Sequence, residues 1–194
     1  MVAIQAFPSK EVGPRRVTVL GSTGSVGFNT VSMLESQFAQ YQVEALTARS
    51  NVKLLAAQAR RLKPKMVVLS EKAFYPDLKR ELAGSGVKVL AGAEGVVEAA
   101  SLTADWVMAA IVGTAGLAPT LAAIRHGAVV ALANKECLVS AGVLLIGEVK
   151  KFGTDLLPVD SEHNGIFQVF DFDHPEGVEK IILTASGGPF RCFN

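Results

Sequence analysis

One stretch near the beginning of the sequence decides the fold: Val17-Thr18-Val19-Leu20-Gly21-Ser22-Thr23-Gly24-Ser25-Val26-Gly27. Its first four residues form an apolar segment of the kind that predicts a buried strand. After its last glycine the sequence takes on helical periodicity, with Val31, Leu34 and Phe38 predicted on one face. We therefore expect a strand, a glycine-rich turn and a helix, in that order.

This order of elements is the one in which proteins bind the phosphates of a dinucleotide. The glycine spacing is G-x-x-G-x-x-G rather than G-x-G-x-x-G, but Gly21 suits the turn, Gly24 a close approach of backbone to a ligand, and Gly27 the packing of helix against strand. Backbone N–H groups at the helix start, with the hydroxyls of Thr23 and Ser25, would face the pyrophosphate. The alternative is a tight turn needed only for packing.

The second predicted strand, residues 43–46, is followed by Arg49, Ser50 and Asn51. An acidic residue at this place would bind the ribose 2′-hydroxyl of NAD, whereas a cation with polar neighbours suits the 2′-phosphate of NADP. The sequence therefore favours NADP. Alternatively, Arg49 is a solvated loop residue and Asn51 caps the next helix.

Strands and helices then alternate along the chain. Strands are predicted at 66–69, 87–90, 106–110, 128–133, 156–160 and 180–184, with helices at 52–62, 74–83 and 93–101, another bearing Leu117, Leu121 and Ile124, and one ending near Phe152. Repeated strand–helix units with nearly continuous apolar strands predict an α/β fold, a Rossmann-like, doubly wound and mostly parallel sheet covered on both faces.

Polar residues follow the apolar strand at 128–133. Asn134, Lys135 and Glu136 stand where the ligand cleft of such a sheet is expected, which favours a functional role. The alternative is a capped helix start in which Glu136 is favourable in the first turn. Cys137, the next residue, is most simply a small buried hydrophobe.

A pair of carboxylates follows the predicted strand at 156–160. In an extended segment side chains alternate faces, so Asp160 and Glu162 are expected to point the same way and Ser161 the other. Two carboxylates together are a plausible partial site for Mg or Mn. The alternative is a solvated strand end.

A last candidate site follows the predicted strand at 180–184. Ser186, two glycines and Arg191 suit an anion held by backbone N–H groups, a hydroxyl and a guanidinium. A plain turn that bends at Pro189 is the alternative.

Charge and composition narrow the class of partner. The 194 residues carry 19 basic and 18 acidic side chains, a net charge of +1, which argues against nucleic acid and a membrane surface and favours small molecules. The two cysteines, Cys137 and Cys192, have no metal-ligand spacing, so we expect a reduced, cytoplasmic protein. Residues 1–15 lack the apolar core of a signal peptide and are predicted to be a flexible leader. The longest apolar stretches contain glycines and are too short to span a membrane.

Five motifs together closely resemble the 1-deoxy-D-xylulose 5-phosphate reductoisomerase family. They are Gly21-Ser22-Thr23-Gly24-Ser25-Val26-Gly27, Met108-Ala109-Ala110-Ile111-Val112-Gly113, Leu132-Ala133-Asn134-Lys135-Glu136, the stretch Pro158-Val159-Asp160-Ser161-Glu162-His163-Asn164, and Ser186-Gly187-Gly188-Pro189-Phe190-Arg191. The resemblance implies an NADPH- and divalent-metal-dependent oxidoreductase. Such an enzyme rearranges 1-deoxy-D-xylulose 5-phosphate and reduces it to 2-C-methyl-D-erythritol 4-phosphate, for isoprenoid precursors.

The resemblance also implies roles for individual residues. Lys135, Asp160 and Glu162 are similar to catalytic positions, with Asp160 and Glu162 as ligands of Mg or Mn. The implied substrate contacts are Lys135, Ser161, Glu162 and Ser186. The implied NADPH contacts are Gly21, Thr23, Gly24, Ser25, Val26, Arg49, Ser50, Asn51, Asn134 and Glu136. Cys137 stands where the family often has serine.

The resemblance divides the chain into a leader (1–15), an NADP-binding domain (16–157) and the beginning of an α/β catalytic domain (158–194). Family chains run to roughly twice this length, as expected of multi-domain enzymes. The remaining part would supply a third metal-binding carboxylate, a lid and further phosphate ligands, and the full-length protein is expected to be a homodimer. Two alternatives remain: an NADP-binding module without catalysis, and a metal-free dehydrogenase with Cys137 as nucleophile, which the lack of a nearby histidine disfavours.

Overall fold

A single parallel sheet forms the centre of the protein. The computed structural model describes residues 13–183, and its strands are β1 (Arg15–Leu20), β2 (Tyr41–Ala48), β3 (Met66–Leu69), β4 (Lys88–Ala91), β5 (Trp106–Ala109), β6 (Val129–Leu132) and β7 (Leu156–Pro158). Their order across the sheet is β4-β3-β2-β1-β5-β6-β7, and every neighbouring pair is parallel. The predicted Rossmann-like, doubly wound α/β fold is confirmed.

Helices cover both faces of this sheet. They are α1 (Ser25–Ser36), α2 (Val52–Leu62), α3 (Tyr75–Glu81), α4 (Ala93–Ala100), α5 (Leu117–Arg125), α6 (Lys135–Phe152) and α7 (Ser161–Val169). The first three pack on one face and the next three on the other, while α7 follows β7 at the edge of the sheet. Within residues 13–183, no helix combines the length and the apolarity that a membrane span requires.

The central strands are buried on both sides. Every residue of β3 is buried, and β1 and β2 each end in a run of buried residues. Alternate residues of β1 and β5 belong to different clusters of the core: Val17 and Val19 pack towards α1 and α2, and Leu20 and Val107 towards α5 and α6. Continuous apolar strands of this kind are typical of a parallel sheet between two helical layers.

Most predicted elements agree with the structure, and the helix at 52–62 and the strand at 66–69 do so to the residue. The prediction that Phe38 shares one face of the first helix with Val31 and Leu34 is wrong: α1 ends at Ser36, and Phe38 starts a short 3₁₀ turn with 51% of its surface exposed. The predicted strand at 180–184 is not formed over residues 180–183, where Ile181, Ile182 and Leu183 are exposed and outside the sheet. Thr184 and most of the predicted leader lie outside the described residues.

An ion pair joins the beginnings of the two central strands. Arg16 donates its backbone N–H to Oδ2 of Asp105 at 2.6 Å and its Nη2 to Oδ1 at 2.9 Å. In return, the backbone N–H of Asp105 donates to the Arg16 carbonyl at 2.9 Å. Partial burial alone would raise the pKa of Asp105, but the hydrogen bonds and the charge of Arg16 outweigh it, so that the pKa lies below its usual 3.8.

We predict that Asp105→Asn lowers the free energy of unfolding at neutral pH by about 0.5–1 kcal/mol, because both side chains are about 40% exposed and solvent screens the pair. A carboxyl whose pKa is lowered by folding stabilises the protein above its unfolded pKa, and this contribution is lost as pH falls through the folded pKa. The difference between wild type and variant, measured by urea unfolding, should therefore be complete above about pH 5 and vanish in strong acid.

Glu98→Gln is the matched control, since it removes the carboxylate of an ion pair with Lys88 that is also half exposed but does not join β1 to β5. Its effect should stay within about 0.5 kcal/mol. Equal losses from both variants at neutral pH, or a loss in Asp105→Asn that persists in strong acid, would contradict the prediction.

Candidate active site

The strand order reverses between β1 and β5, and a crevice opens there at the carboxyl ends of the strands. The connections that follow these two adjacent strands run to opposite faces of the sheet, and a crevice remains between them. Ligands of open α/β sheets bind in such a crevice. Here it is a cavity of about 460 Å³. Its lining includes residues from the glycine turn, the end of β2 and the loop after β5: Gly21, Thr23, Gly24, Thr47, Ala48, Arg49, Ala110, Ile111 and Val112.

Two glycines make the turn after β1 possible. Gly21 has φ +84°, and a Cβ there would lie 2.7 Å from the carbonyl oxygen of Ala110 on the neighbouring chain segment. A Cβ on Gly27 would lie 2.1 Å from the carbonyl oxygen of Gly21, so α1 could not start so close to β1. At Gly24 a Cβ would make only ordinary contact, 3.5 Å from the same oxygen.

The turn ends at the amino end of α1, where a phosphate is expected. Gly24 is the N-cap of α1 and offers no side-chain cap, so the first N–H groups of the helix are left for a ligand or water. Thr23 lines the cavity, and Ser25 is exposed at the first position of the helix. The predicted pyrophosphate residues are therefore brought together at one helix end.

Three further residues support the turn, and the sequence patterns did not single them out. Thr47 accepts the N–H of Gly21 at its hydroxyl (2.9 Å) and the N–H of Ser22 at its carbonyl (2.7 Å). Gln58 accepts from the Ser22 hydroxyl at 2.8 Å and donates to the Ser22 carbonyl at 2.9 Å. The side chains of Ser22, Thr47 and Gln58 are all buried. The sequence contains one signal that could have identified this support: Gln58 is a polar residue on the otherwise apolar face of α2, beside Leu55 and Leu62.

The segment predicted to bind the 2′-phosphate lies at the end of β2. Arg49 is 83% exposed and pairs with Glu71 through its Nε, 2.6 Å from Oε1. Asn51 is the N-cap of α2 and accepts the N–H of Leu54 at 3.2 Å, which agrees with the alternative interpretation of this residue as a helix cap. Arg49 also lines the cavity.

Asn134 fastens the loop after β5 to the start of α6. It is buried, its Oδ1 accepts the N–H of Cys137 at 3.3 Å, and its Nδ2 donates to the carbonyls of Ile111 and Gly113. With its amide engaged in this way, Asn134 acts on the cavity by holding the loop that lines it. Glu136 is exposed in the first turn of α6.

The carboxylate pair does not have the extended geometry that the sequence predicted. β7 ends at Pro158, so Asp160 is the N-cap of α7 and Glu162 lies in its first turn. The physical reason is local capping: Asp160 accepts the backbone N–H of His163 at 3.0 Å, and this stabilises a helix start where strand alternation was expected. The alternation of Asp160, Ser161 and Glu162 across two faces of a strand is therefore wrong.

Lys135 connects the end of β6 to these carboxylates. Its Nζ lies 3.5 Å from Oε2 of Glu162, which also accepts the Ser161 hydroxyl at 3.0 Å. The ring of His163 contacts Asp160 through Nδ1, 2.7 Å from Oδ1. Lys135, Asp160, Ser161 and Glu162 are thus neighbours, although they come from two separate stretches of sequence.

Both carboxylates are held in the ionised form. Burial alone would raise the pKa of Asp160, but hydrogen bonds from the backbone and ring of His163, together with the charge of Lys135, lower it overall. The pKa of Glu162 is lowered by hydrogen bonds from its own backbone N–H and from Ser161, and by the charge of Lys135. Ionised carboxylate oxygens are the donors that Mg²⁺ and Mn²⁺ prefer.

These donors fit part of a metal site. Within residues 13–183, no group of three or more histidine, cysteine, aspartate or glutamate side chains is placed to hold a metal ion. Asp160 and Glu162 could therefore contribute two ligands, with the others coming from water, substrate or other residues. A second cavity, of about 540 Å³, lies beside Ser161 and Glu162 and is otherwise lined mainly by apolar residues. Ser186 and Arg191 lie outside the described residues.

Cys137 is not a nucleophile in this structure. It is fully buried at the start of α6, and burial raises the pKa of its thiol. A nucleophilic cysteine needs the opposite, an accessible thiolate. The prediction that Cys137 is a small buried hydrophobe is confirmed, and the metal-free dehydrogenase built on it is wrong.

Comparison with known proteins identifies relatives over most of the chain. The family model described as 1-deoxy-D-xylulose 5-phosphate reductoisomerase matches residues 17–142, and that of the C-terminal domain of the same enzyme matches residues 156–194. The 1-deoxy-D-xylulose 5-phosphate reductoisomerase of Rhodospirillum centenum is 62% identical over 181 residues, which are 93% of this chain and 45% of that protein. The chain thus spans about half the length of the curated relatives that it matches.

Solved structures of similar proteins share the fold. The enzyme of the same name from Zymomonas mobilis, in complex with NADPH, is 58% identical with a TM-score of 0.87, over 93% of this chain and 48% of that one. A second solved structure, of DOX-P reductoisomerase in complex with magnesium, is 39% identical with a TM-score of 0.84, over 91% of this chain and 47% of that one.

We predict that Gly27→Ala destabilises the chain by about 2 kcal/mol or more, because its Cβ must displace the Gly21 carbonyl or move α1 away from β1. Gly24→Ala is the matched control: it adds the same methyl group three residues earlier, where the contact is ordinary, and should cost less than about 1 kcal/mol. Thermal and urea unfolding measure both. Equal stability of the two variants would contradict the close packing of α1 on the turn.

Proposed function

The chain belongs to the 1-deoxy-D-xylulose 5-phosphate reductoisomerase family, and from that premise we propose that it provides the NADPH-binding part, and two metal-binding carboxylates, of this enzyme. The proposed reaction is the NADPH- and metal-dependent conversion of 1-deoxy-D-xylulose 5-phosphate to 2-C-methyl-D-erythritol 4-phosphate. The observation that carries the proposal is the Lys135–Glu162 contact, because it joins the nucleotide sheet to the carboxylates at the same edge.

NADPH is proposed to lie across the crevice between β1 and β5. The turn residues Gly21, Thr23, Gly24, Ser25 and Val26 would hold the pyrophosphate at the amino end of α1. The segment from Arg49 to Asn51 would hold the 2′-phosphate, beside the contact that Arg49 makes with Glu71 through its Nε. The loop fixed by Asn134, and Glu136 at the surface of α6, would border the nicotinamide.

The substrate is proposed to bind between Lys135 and the start of α7. A bound Mg²⁺ or Mn²⁺ would polarise the carbonyl of the substrate, and NADPH would supply the hydride. Asp160 and Glu162 would hold the cation, Lys135 and Ser161 would orient the oxygens of the substrate, and Ser186 would contact its phosphate. The ionised state of both carboxylates suits a cation. Their negative charge also attracts the ammonium of Lys135, which would then lie close to the substrate.

The domain boundary is proposed within β7, between residues 157 and 158. Residues 16–157 would form the NADP-binding domain, and residues 158–194 the beginning of the catalytic domain. Support comes from β7, which still pairs with β6, and from the C-terminal family match that begins at residue 156. For the longer protein we further propose a homodimer and a cytoplasmic location.

We predict that Arg49→Gln weakens NADPH binding to this chain by about ten- to a hundredfold, the loss expected for a charge-assisted hydrogen bond to phosphate. NADH binding, which involves no 2′-phosphate, should change by less than about twofold. Isothermal titration with both nucleotides measures the two affinities. Lys150→Gln, which removes a positive charge in the last turn of α6, is the control and should bind like wild type. An equal loss for NADH and NADPH would contradict this role of Arg49.

Turnover is best tested in a chimaera that joins this chain to the remaining part of the Zymomonas mobilis enzyme, its 58% identical relative. With 1-deoxy-D-xylulose 5-phosphate and Mg²⁺ or Mn²⁺, we expect the chimaera to oxidise NADPH, and Asp160→Asn to lower kcat at least about a hundredfold. Asparagine still accepts the His163 N–H, so the start of α7 should survive.

The matched control for that experiment is Asp171→Asn, which changes a carboxylate that also accepts backbone N–H groups, those of Asp173 and His174 at 3.0 Å. It should leave turnover within about twofold of the unmodified chimaera. Metal-independent turnover would overturn the role of Asp160 and Glu162. A chimaera that binds NADPH but shows no turnover would favour the simpler alternative, in which this chain is a nucleotide-binding module.

A further inference from the structure

A buried glutamine holds the middle of the nucleotide turn at two points. Gln58 is fully buried on α2, where its neighbours on the inner face are apolar. Its Oε1 accepts the Ser22 hydroxyl at 2.8 Å, and its Nε2 donates to the Ser22 carbonyl at 2.9 Å. Burying a carboxamide costs free energy unless it is hydrogen-bonded, and here both of its polar atoms bond to one residue of the turn.

The bond to the Ser22 carbonyl fixes the direction of the next N–H group. In a trans peptide the C=O of one residue and the N–H of the next point in opposite directions, and the described residues contain no cis peptide. Because Gln58 holds the Ser22 carbonyl towards α2, the N–H of Thr23 points away from α2. Thr23 lines the cavity at the end of β1.

The other polar groups of Ser22 are also occupied. Its N–H donates to the carbonyl of Thr47 at 2.7 Å, so the N–H, the C=O and the hydroxyl of this residue each have a buried partner. A peptide group fixed in this way does not have to turn when an anion binds. Donors that are oriented in advance bind more tightly because no ordering cost arises at that moment.

We infer that Gln58 is a positioning residue for the pyrophosphate of the dinucleotide, acting through the peptide group between Ser22 and Thr23 without contacting the ligand. The inference rests on the proposed NADPH site. It gives α2 two roles in that site, because its N-cap Asn51 lies in the segment proposed for the 2′-phosphate and its buried Gln58 orients the turn for the pyrophosphate.

The test compares a ligand that has a pyrophosphate with one that lacks it. Isothermal titration gives the affinity of the chain for NADPH and for 2′-AMP, well below the melting temperature. Gln58→Leu, which keeps the approximate volume but removes both hydrogen bonds, should weaken NADPH about tenfold or more and change 2′-AMP by less than about twofold. Ser22→Ala removes only the hydroxyl bond and keeps the carbonyl bond, so its effect on NADPH should be smaller.

Thr154→Val is the matched control for loss of a buried hydrogen bond, since the Thr154 hydroxyl donates to the Ile124 carbonyl at 2.9 Å, far from the cavity. It should lower thermal stability without weakening NADPH. If Gln58→Leu does not fold, Gln58→Met, which keeps the unbranched shape of glutamine and also removes both hydrogen bonds, should show the same selective loss.

Two results would overturn the inference while leaving the proposed site intact: unchanged NADPH affinity in the folded Gln58 variants, or a parallel loss for NADPH and 2′-AMP. Failure of the wild-type chain to bind NADPH would overturn the proposed site, and the inference with it.

Discussion

The structure depends on how closely the turn after β1 approaches its neighbours. A Cβ on Gly27 would stand 2.1 Å from the Gly21 carbonyl, and one on Gly21 would stand 2.7 Å from that of Ala110. These two contacts set the distance from α1 to β1 and from β1 to the loop after β5. The crevice between the two strands, and therefore the place of any ligand, follows from them. Side chains elsewhere in the core could be exchanged for others of similar volume, whereas a methyl group in place of the Hα of Gly21 or Gly27 would force the backbone to shift.

The sequence predicted the sheet well because its central strands are buried on both faces and its helices on one. Nearly continuous apolar runs such as Met66–Leu69, and helical runs such as Val52–Leu62, carry their signal within a few residues. The predictions fail where the local structure is determined by a helix cap or by a contact between residues far apart in sequence. The cap that Asp160 gives to α7 replaced the expected strand, and the buried pair of Ser22 and Gln58 joins residues 36 positions apart. A pattern of single residues does not show such pairs.

Two buried side-chain amides hold the backbone segments that line the cavity on opposite sides. Gln58 fixes the turn after β1, and Asn134 fixes the loop after β5, each by binding backbone carbonyls of the segment that it holds. Neither presents a free polar atom to a ligand in the way that a catalytic side chain would. A buried amide that lost such partners would cost about 1–3 kcal/mol. The backbone groups around the cavity are therefore kept in place by side chains that lie behind them.

The two carboxylates at the start of α7 differ in how firmly they are held. The side chain of Asp160 is 10% exposed and is engaged as a helix cap, so its position is set by the fold. Glu162 instead contacts Ser161 and a half-exposed Lys135, and ion pairs between such groups contribute little to stability. In the proposed site, Glu162 could therefore exchange Lys135 for a divalent cation at low cost, while Asp160 would stay where α7 places it. The same exchange would free the ammonium of Lys135 for the proposed substrate, so that holding the cation and orienting the substrate would be parts of one rearrangement.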